Sequence, residues 1–86
     1  MFLTNHAHVL ICIAEQPDVR IRDIADRVGI TERAAQRIVA DLADEGYVVR
    51  KRVGRRNEYK VKKDAPLRHP LQRDHSVYEI ISALMK

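Results

Sequence analysis

The stretch between residues 22 and 44 constrains the fold more than any other, because it predicts two short amphipathic helices separated by a very short turn. The helix before the turn, the second in the chain, spans about residues 22–28 and places Ile24, Ala25 and Val28 on one face. Gly29 can take the left-handed conformation that ends a helix, and Thr31 is a typical N-cap for a second helix. The sequence therefore predicts a helix, a tight turn and another helix.

The second of these helices has two chemically different faces. Its apolar stripe follows the helical spacing i, i+3, i+4, i+7 and consists of Ala35, Ile38, Val39 and Leu42. The opposite face carries Arg33, Gln36, Arg37, Ala40, Asp41 and Asp44. The first two turns of this face are basic or amide-bearing and the last is acidic. Only the N-terminal half can therefore approach phosphate groups without repulsion.

A β-hairpin is predicted directly after this helix. Gly46 ends the helix, one strand is expected over residues 47–52, and a return strand over residues 58–62 turns Tyr59 towards the core. Residues 53–57 form the tip, where Gly54 and Asn57 tolerate a positive φ. Residues 19–21 are too short to assign by periodicity, but a brief strand there would give the hairpin a third partner.

Positive charge is concentrated in this hairpin. The chain has 16 Lys and Arg residues against 12 Asp and Glu, but residues 50–63 hold eight basic residues against Glu58 alone, a net charge of +7. Residues 1–49 carry five basic and eight acidic residues, and residues 64–86 carry three of each. Charge of one sign can protect a strand edge from aggregation, but eight basic residues exceed that need. The pattern favours binding to a polyanion.

The two ends of the chain are apolar. The first helix is predicted from Thr4 or Asn5 to Gln16, stopped by Pro17, and is apolar on every side over residues 9–14. A connector with two prolines, residues 64–70, leads to a last helix that begins with the capping-box pair Ser76 and Glu79. The two helices are expected to pack together, within one subunit or across two. The predicted dimer-interface residues are Val9, Ile13, Val77, Ile80, Ile81 and Leu84.

Several classes of protein are disfavoured by the sequence. Cys12 is the only cysteine, so no intrachain disulfide can form and a reducing, cytoplasmic location is the simpler expectation. The apolar run over residues 9–14 is too short for a signal peptide or a membrane span.

Catalysis and cofactor binding are disfavoured as well. There is no glycine-rich phosphate loop, paired-carboxylate site or nucleophile elbow, so we expect no enzyme activity and no cofactor. The side chains of His8 and Cys12 lie four residues apart, a spacing that can share a metal ion. However, no second cysteine supports a soft-metal site, and we expect none.

Three segments carry a resemblance to a known family. They are IADRVGIT at residues 24–31, IVADLADEGY at residues 38–47 and GRRNEY at residues 54–59. In this order and spacing, residues 4–63 resemble the winged helix-turn-helix domains of bacterial and archaeal transcriptional regulators of the MarR and ArsR kind. The resemblance implies a mainly α fold with a small β-wing, and a dimer that binds a pseudo-palindromic DNA operator. Residues 1–63 would then form the DNA-binding domain, and residues 64–86 a dimerisation element.

This resemblance assigns DNA contacts to two elements. The third helix would enter the major groove, and the wing would lie over the backbone or the minor groove. The predicted contact residues are Thr31, Arg33, Gln36 and Arg37 in the helix, and Arg50, Lys51, Arg52, Arg55, Arg56, Asn57 and Lys60 in the wing.

Two other functions stay open at this stage. The domain could serve as a protein-interaction module in a larger assembly, although that function has little need of a basic wing. It could also bind DNA as an architectural protein without sequence preference, which would make Gln36 incidental. The chain lacks the long flanking helices of MarR-type dimers and any obvious effector domain, so control by a small molecule is not assigned.

Overall fold

The structure, a computed structural model, describes residues 4–62 and 76–84, which form four helices and one antiparallel hairpin. In chain order the elements are α1 (Asn5–Glu15), α2 (Ile21–Val28), α3 (Glu32–Asp44), β1 (Val48–Val53), β2 (Arg56–Val61) and α4 (Val77–Leu84). The mainly helical architecture with one β-hairpin wing confirms the predicted fold class.

Helix α1 is the centre of the core. The Thr4 hydroxyl accepts a hydrogen bond from the Ala7 amide at 3.4 Å, and the helix ends at Glu15, two residues before Pro17. The helix packs against α2, α3, β2 and α4 of the same chain. Because of this packing, the side chains of Val9 and Ile13 are 0% exposed.

This burial corrects the premise behind two of the predicted interface residues. The first and last helices were expected to pack together within one subunit or across two, and the interface prediction assumed the second case, which would leave Val9 and Ile13 for a partner. Instead, elements of one chain surround the helix and leave neither side chain any exposed surface. A second subunit has nothing to contact at these two positions in this fold.

The joint between α2 and α3 follows the predicted local chemistry. Gly29 has a φ of 84°, and its N–H donates to the Ala25 carbonyl at 2.8 Å. The Thr31 hydroxyl accepts from the Ala34 amide at 3.0 Å, which caps α3. The buried residues of α3 are the predicted stripe of Ala35, Ile38, Val39 and Leu42. This stripe fixes the rotation of α3 and leaves its opposite face to solvent.

The hairpin has a tighter tip than the sequence suggested. Val53 pairs with Arg56, so only Gly54 and Arg55 form the turn. Gly54 has a φ of 62°, and no non-glycine residue among those described has a positive φ. Asn57, which would tolerate a positive φ, does not adopt one. A two-residue turn of the type II′ kind needs a positive φ only at its first position, and Asn57 lies in β2.

The possible third strand at residues 19–21 does not form. Within the described residues the sheet has two strands, and α2 already begins at Ile21. The amide of Tyr59 donates to the Pro17 carbonyl at 2.9 Å, which fastens this segment to β2 by one backbone hydrogen bond. Pro17 has no N–H to donate in return. The segment between Pro17 and α2 is thus too short to extend a ladder.

Helix α4 begins as predicted and contacts α1. The Ser76 amide donates to the Glu79 carboxylate at 2.6 Å, which is one half of a capping box. Ile81 is 3% exposed and belongs to the same core as α1, whereas Leu84 is 48% exposed. Like Val9 and Ile13, Ile81 offers a partner almost no surface. The side chains of Val77 and Ile80, and the connector at residues 64–70, lie outside the described part of the chain.

Candidate nucleic-acid interface

The first two exposed turns of α3 present the groups that could contact a nucleic acid. The side chains of Arg33, Gln36 and Arg37 are exposed. They lie on the face opposite the buried stripe, and within the described residues none of them makes a hydrogen bond or an ion pair. Their donors are therefore available to an external partner. Arg can present a two-pronged set of donors to guanine, and Gln can pair with adenine.

The predicted contact residue Thr31 already has a structural task. Its hydroxyl oxygen accepts a hydrogen bond from the Ala34 amide. Thr31 thereby caps α3 and satisfies one of the backbone N–H groups in the first turn of the helix. The residue is nonetheless exposed. A direct contact of Thr31 with DNA stays a prediction.

The C-terminal half of α3 is acidic and partly engaged by α1. The Nε2 atom of His6 lies 3.1 Å from an Asp41 carboxylate oxygen, and both side chains are about half exposed. Asp44, one turn further on, is exposed. The negative end of α3 is thus separated along the helix from Arg33 and Arg37, as the sequence pattern predicts.

The strand register distributes the wing cations over both faces of the hairpin. Every second residue of a strand points to the same face of the hairpin. The face of the buried Val48 and Tyr59 therefore also carries Arg50, Arg52 and Asn57. The opposite face carries Lys51, Arg56, Glu58 and Lys60, together with the exposed Val49 and Val53. Arg55 lies in the turn, and all these cationic side chains are exposed. The wing is therefore positive at its tip and on both faces.

Two of these cations have neighbours that restrain them. The Nε of Arg52 donates to the Gly54 carbonyl at 3.2 Å, which ties the side chain to the turn. Lys51 lies directly across the strands from Glu58, which offsets part of its charge. Arg55 and Arg56 at the tip, like Arg50 and Lys60, make no side-chain hydrogen bond or ion pair within the described residues.

One candidate residue was missed by the sequence reasoning. Arg20 is the N-cap of α2 and lines the same groove as Arg55 and Arg56. An available signal was its position: a helix start commonly carries Ser, Thr, Asp or Asn, and Arg20 provides no side-chain cap. A cation in that place is not explained by local helix chemistry.

The residues considered for metal binding form no cluster. Among residues 4–62 and 76–84, no three His, Cys, Asp or Glu side chains come together as a metal site requires. Burial raises the pKa of the Cys12 thiol, an effect that the nearby Arg27 guanidinium partly opposes. Cys12 therefore packs as a small apolar side chain between other core residues.

Comparison with known proteins identifies a family for most of the chain. The model of the MarR family matches residues 3–56, which is 54 of the 86 residues and extends from α1 to the start of β2. No curated protein matches the chain.

In the described part of the chain, no helix is both long and apolar enough to cross a membrane.

Proposed function

This chain belongs to the MarR family, whose members are winged-helix transcriptional regulators, and we propose that it binds double-stranded DNA sequence-specifically. In this proposal α3 lies in the major groove, and the wing contacts the backbone or the minor groove. Family membership supports the general activity. The assignment of contacts to particular residues rests on the geometry of α3 and the wing.

The observation that carries the proposal is the unengaged polar face of α3. Arg33, Gln36 and Arg37 are exposed in the N-terminal half of a helix whose other face is anchored in the core. A helix held in this way can present its side chains to base edges with little loss of backbone freedom.

The wing supports DNA over other partners. Its cations extend from Arg50 to Lys60 and surround the hairpin, so they can neutralise phosphates on either side of it. Phosphate contacts fix the position of a protein on the duplex, while base contacts specify the sequence. The wing would therefore supply most of the affinity, and α3 most of the selectivity.

A homodimer is the second part of the proposal. An operator with two half-sites requires two copies of α3, and a single chain has one. Because Val9, Ile13 and Ile81 are buried within the chain, the surface left for the interface includes Leu84 at the end of α4. Cytoplasmic location is consistent with action on DNA and is part of the same proposal.

Fluorescence anisotropy with labelled duplexes tests the proposal. We expect binding that weakens steeply with salt, together with a preference for one sequence over a scrambled control of the same composition. Equal affinity for both duplexes would indicate an architectural DNA-binding protein. No salt-dependent binding to either duplex would contradict DNA binding and favour a protein-interaction module.

A further inference from the structure

The groove between the wing tip and the start of α2 brings together cations that are distant in sequence. It measures about 310 Å³ and is lined by Arg20 from the α1–α2 segment and by Arg55, Arg56 and Asn57 from the wing. The hydrogen bond from the Tyr59 amide to the Pro17 carbonyl holds the two walls together. The groove thus lies between two segments that a backbone hydrogen bond joins.

The arginines of the groove have no side-chain partner in the part of the chain that the structure describes. Among the described residues, Arg20, Arg55 and Arg56 make no ion pair and no side-chain hydrogen bond. Asp18 also lines the groove and offsets one of the three positive charges. Two net positive charges remain around a cleft open to solvent, and such a cleft attracts anions.

We propose that this groove binds one phosphate group of the DNA backbone, with Arg20 and the wing arginines contacting the same phosphate. Guanidinium groups suit this ligand because they donate paired, charge-assisted hydrogen bonds to phosphate oxygens. The Asn57 side-chain amide adds a neutral donor at the same wall. The inference rests on the proposed DNA binding and adds a contact outside α3 and the wing.

A shared phosphate has a consequence that separate contacts lack. The groove would couple the wing to α2, so the wing would be held at a fixed distance from α3 when DNA is bound. Arg20 would then act through backbone contact alone and have no influence on which sequence is preferred.

The test compares Arg20→Gln with Arg22→Gln, since both remove one exposed positive charge near the start of α2 and only Arg20 lines the groove. Affinity for a preferred and a scrambled duplex is measured between 50 and 200 mM salt. Because the groove is expected to hold its phosphate only when Arg20 and the wing arginines act together, Arg20→Gln should lose this one contact. The slope of log K against log salt should then fall by about 0.9, so the loss of affinity over this salt range shrinks by about 3.5-fold per site. Arg22→Gln should leave the slope near the wild-type value.

The double variant Arg20→Gln with Arg56→Gln tests whether the phosphate is shared. If both side chains bind one phosphate, the double variant loses less affinity than the product of the two single losses. Two results would overturn the shared contact and leave DNA binding intact. One is an equal salt slope for Arg20→Gln and Arg22→Gln. The other is a loss of affinity in the double variant that equals the product of the two single losses. A wild-type protein that binds no duplex would overturn both proposals.

Inorganic phosphate distinguishes a free anion from the DNA backbone. Arginine side-chain NMR signals are followed as chloride is replaced by phosphate at constant ionic strength. We expect no saturable change below tens of millimolar, because one backbone phosphate is bound weakly without the rest of the duplex. A different result would overturn the DNA contact: the protein binds no duplex, its arginine signals saturate at low millimolar phosphate, and Arg20→Gln abolishes this saturation. The groove would then be assigned to a small phosphorylated ligand.

Discussion

Arg33 and Arg37 should determine sequence preference residue by residue. Each exposed guanidinium lies on the free face of α3, so Arg37→Ala or Arg33→Ala should cost about 1–3 kcal/mol of specific binding where the side chain contacts a guanine. Preference should relax at one position of each half-site. Affinities for single-base variants of the preferred duplex measure this directly.

Asp44→Ala is the control for these substitutions. It changes an exposed residue on the same helix but in the acidic last turn, away from the proposed contacts. It should leave the order of preferred sequences unchanged. If both arginine variants lose affinity equally for specific and random duplexes, the arginines contact phosphate only.

Cys12 should be a poor nucleophile in the folded protein. Burial raises the pKa of its thiol from an ordinary value of 9.0, so the folded state favours the neutral form. The thiol of the unfolded chain loses its proton at a lower pH than the thiol of the folded chain. The contribution of Cys12 to the free energy of unfolding is therefore constant below about pH 9 and declines as the pH rises above that value. Alkylation by iodoacetamide at pH 8 should be much slower in the native protein than in denaturant. Equal rates would contradict the buried, neutral thiol.

At the scale of elements, the wing should dominate the salt dependence. If each subunit neutralises about four phosphates, a dimer meets roughly eight and the slope of log K against log salt approaches about −7. Replacing Arg55 and Arg56 with Ala should flatten this slope without changing the preferred sequence. Replacing both with Lys keeps the charge and should preserve it. A slope that is unchanged in the Ala variant would show that the wing tip does not reach the phosphates.

Most elements could be predicted because their signals are local. Thr31 as a cap, Gly29 as a left-handed stop and the apolar spacing of α3 each depend on a few neighbouring residues. The hairpin tip was predicted too long because both Gly54 and Asn57 tolerate unusual φ values, and the choice between them depends on strand register. Register is set by contacts across the hairpin, which the linear sequence does not display.

The candidate site divides in the same way. The free face of α3 follows from periodicity alone, so Arg33, Gln36 and Arg37 could be named from the sequence. Arg20 had only an indirect signal, its position at the start of α2, because its proximity to the wing is a tertiary feature of the segment that the Tyr59 amide joins to β2 through the Pro17 carbonyl. The coverage of α1 was misjudged for a related reason. It takes contacts from α2, α3, β2 and α4 together to bury Val9 and Ile13.

At the scale of the whole molecule, Leu84→Asp should weaken the proposed dimer and leave the fold intact. Leu84 is 48% exposed, so a charge there costs the single chain little. Removing the entire helix would instead also take Ile81 out of the core. Sedimentation equilibrium should show a dimer for the wild type and a monomer for Leu84→Asp at about 100 μM, for a micromolar dissociation constant. A wild type that is monomeric at that concentration would contradict a homodimer in the absence of DNA.

Selection of bound sequences from a random pool of DNA duplexes tests the central claim most directly. We predict enrichment of a two-fold symmetric sequence with half-sites about one helical turn apart, because two copies of α3 would enter successive major grooves. An Arg37→Ala protein should recover the same symmetry with one position relaxed in each half. A pool that stays random after repeated rounds would contradict sequence-specific recognition by α3.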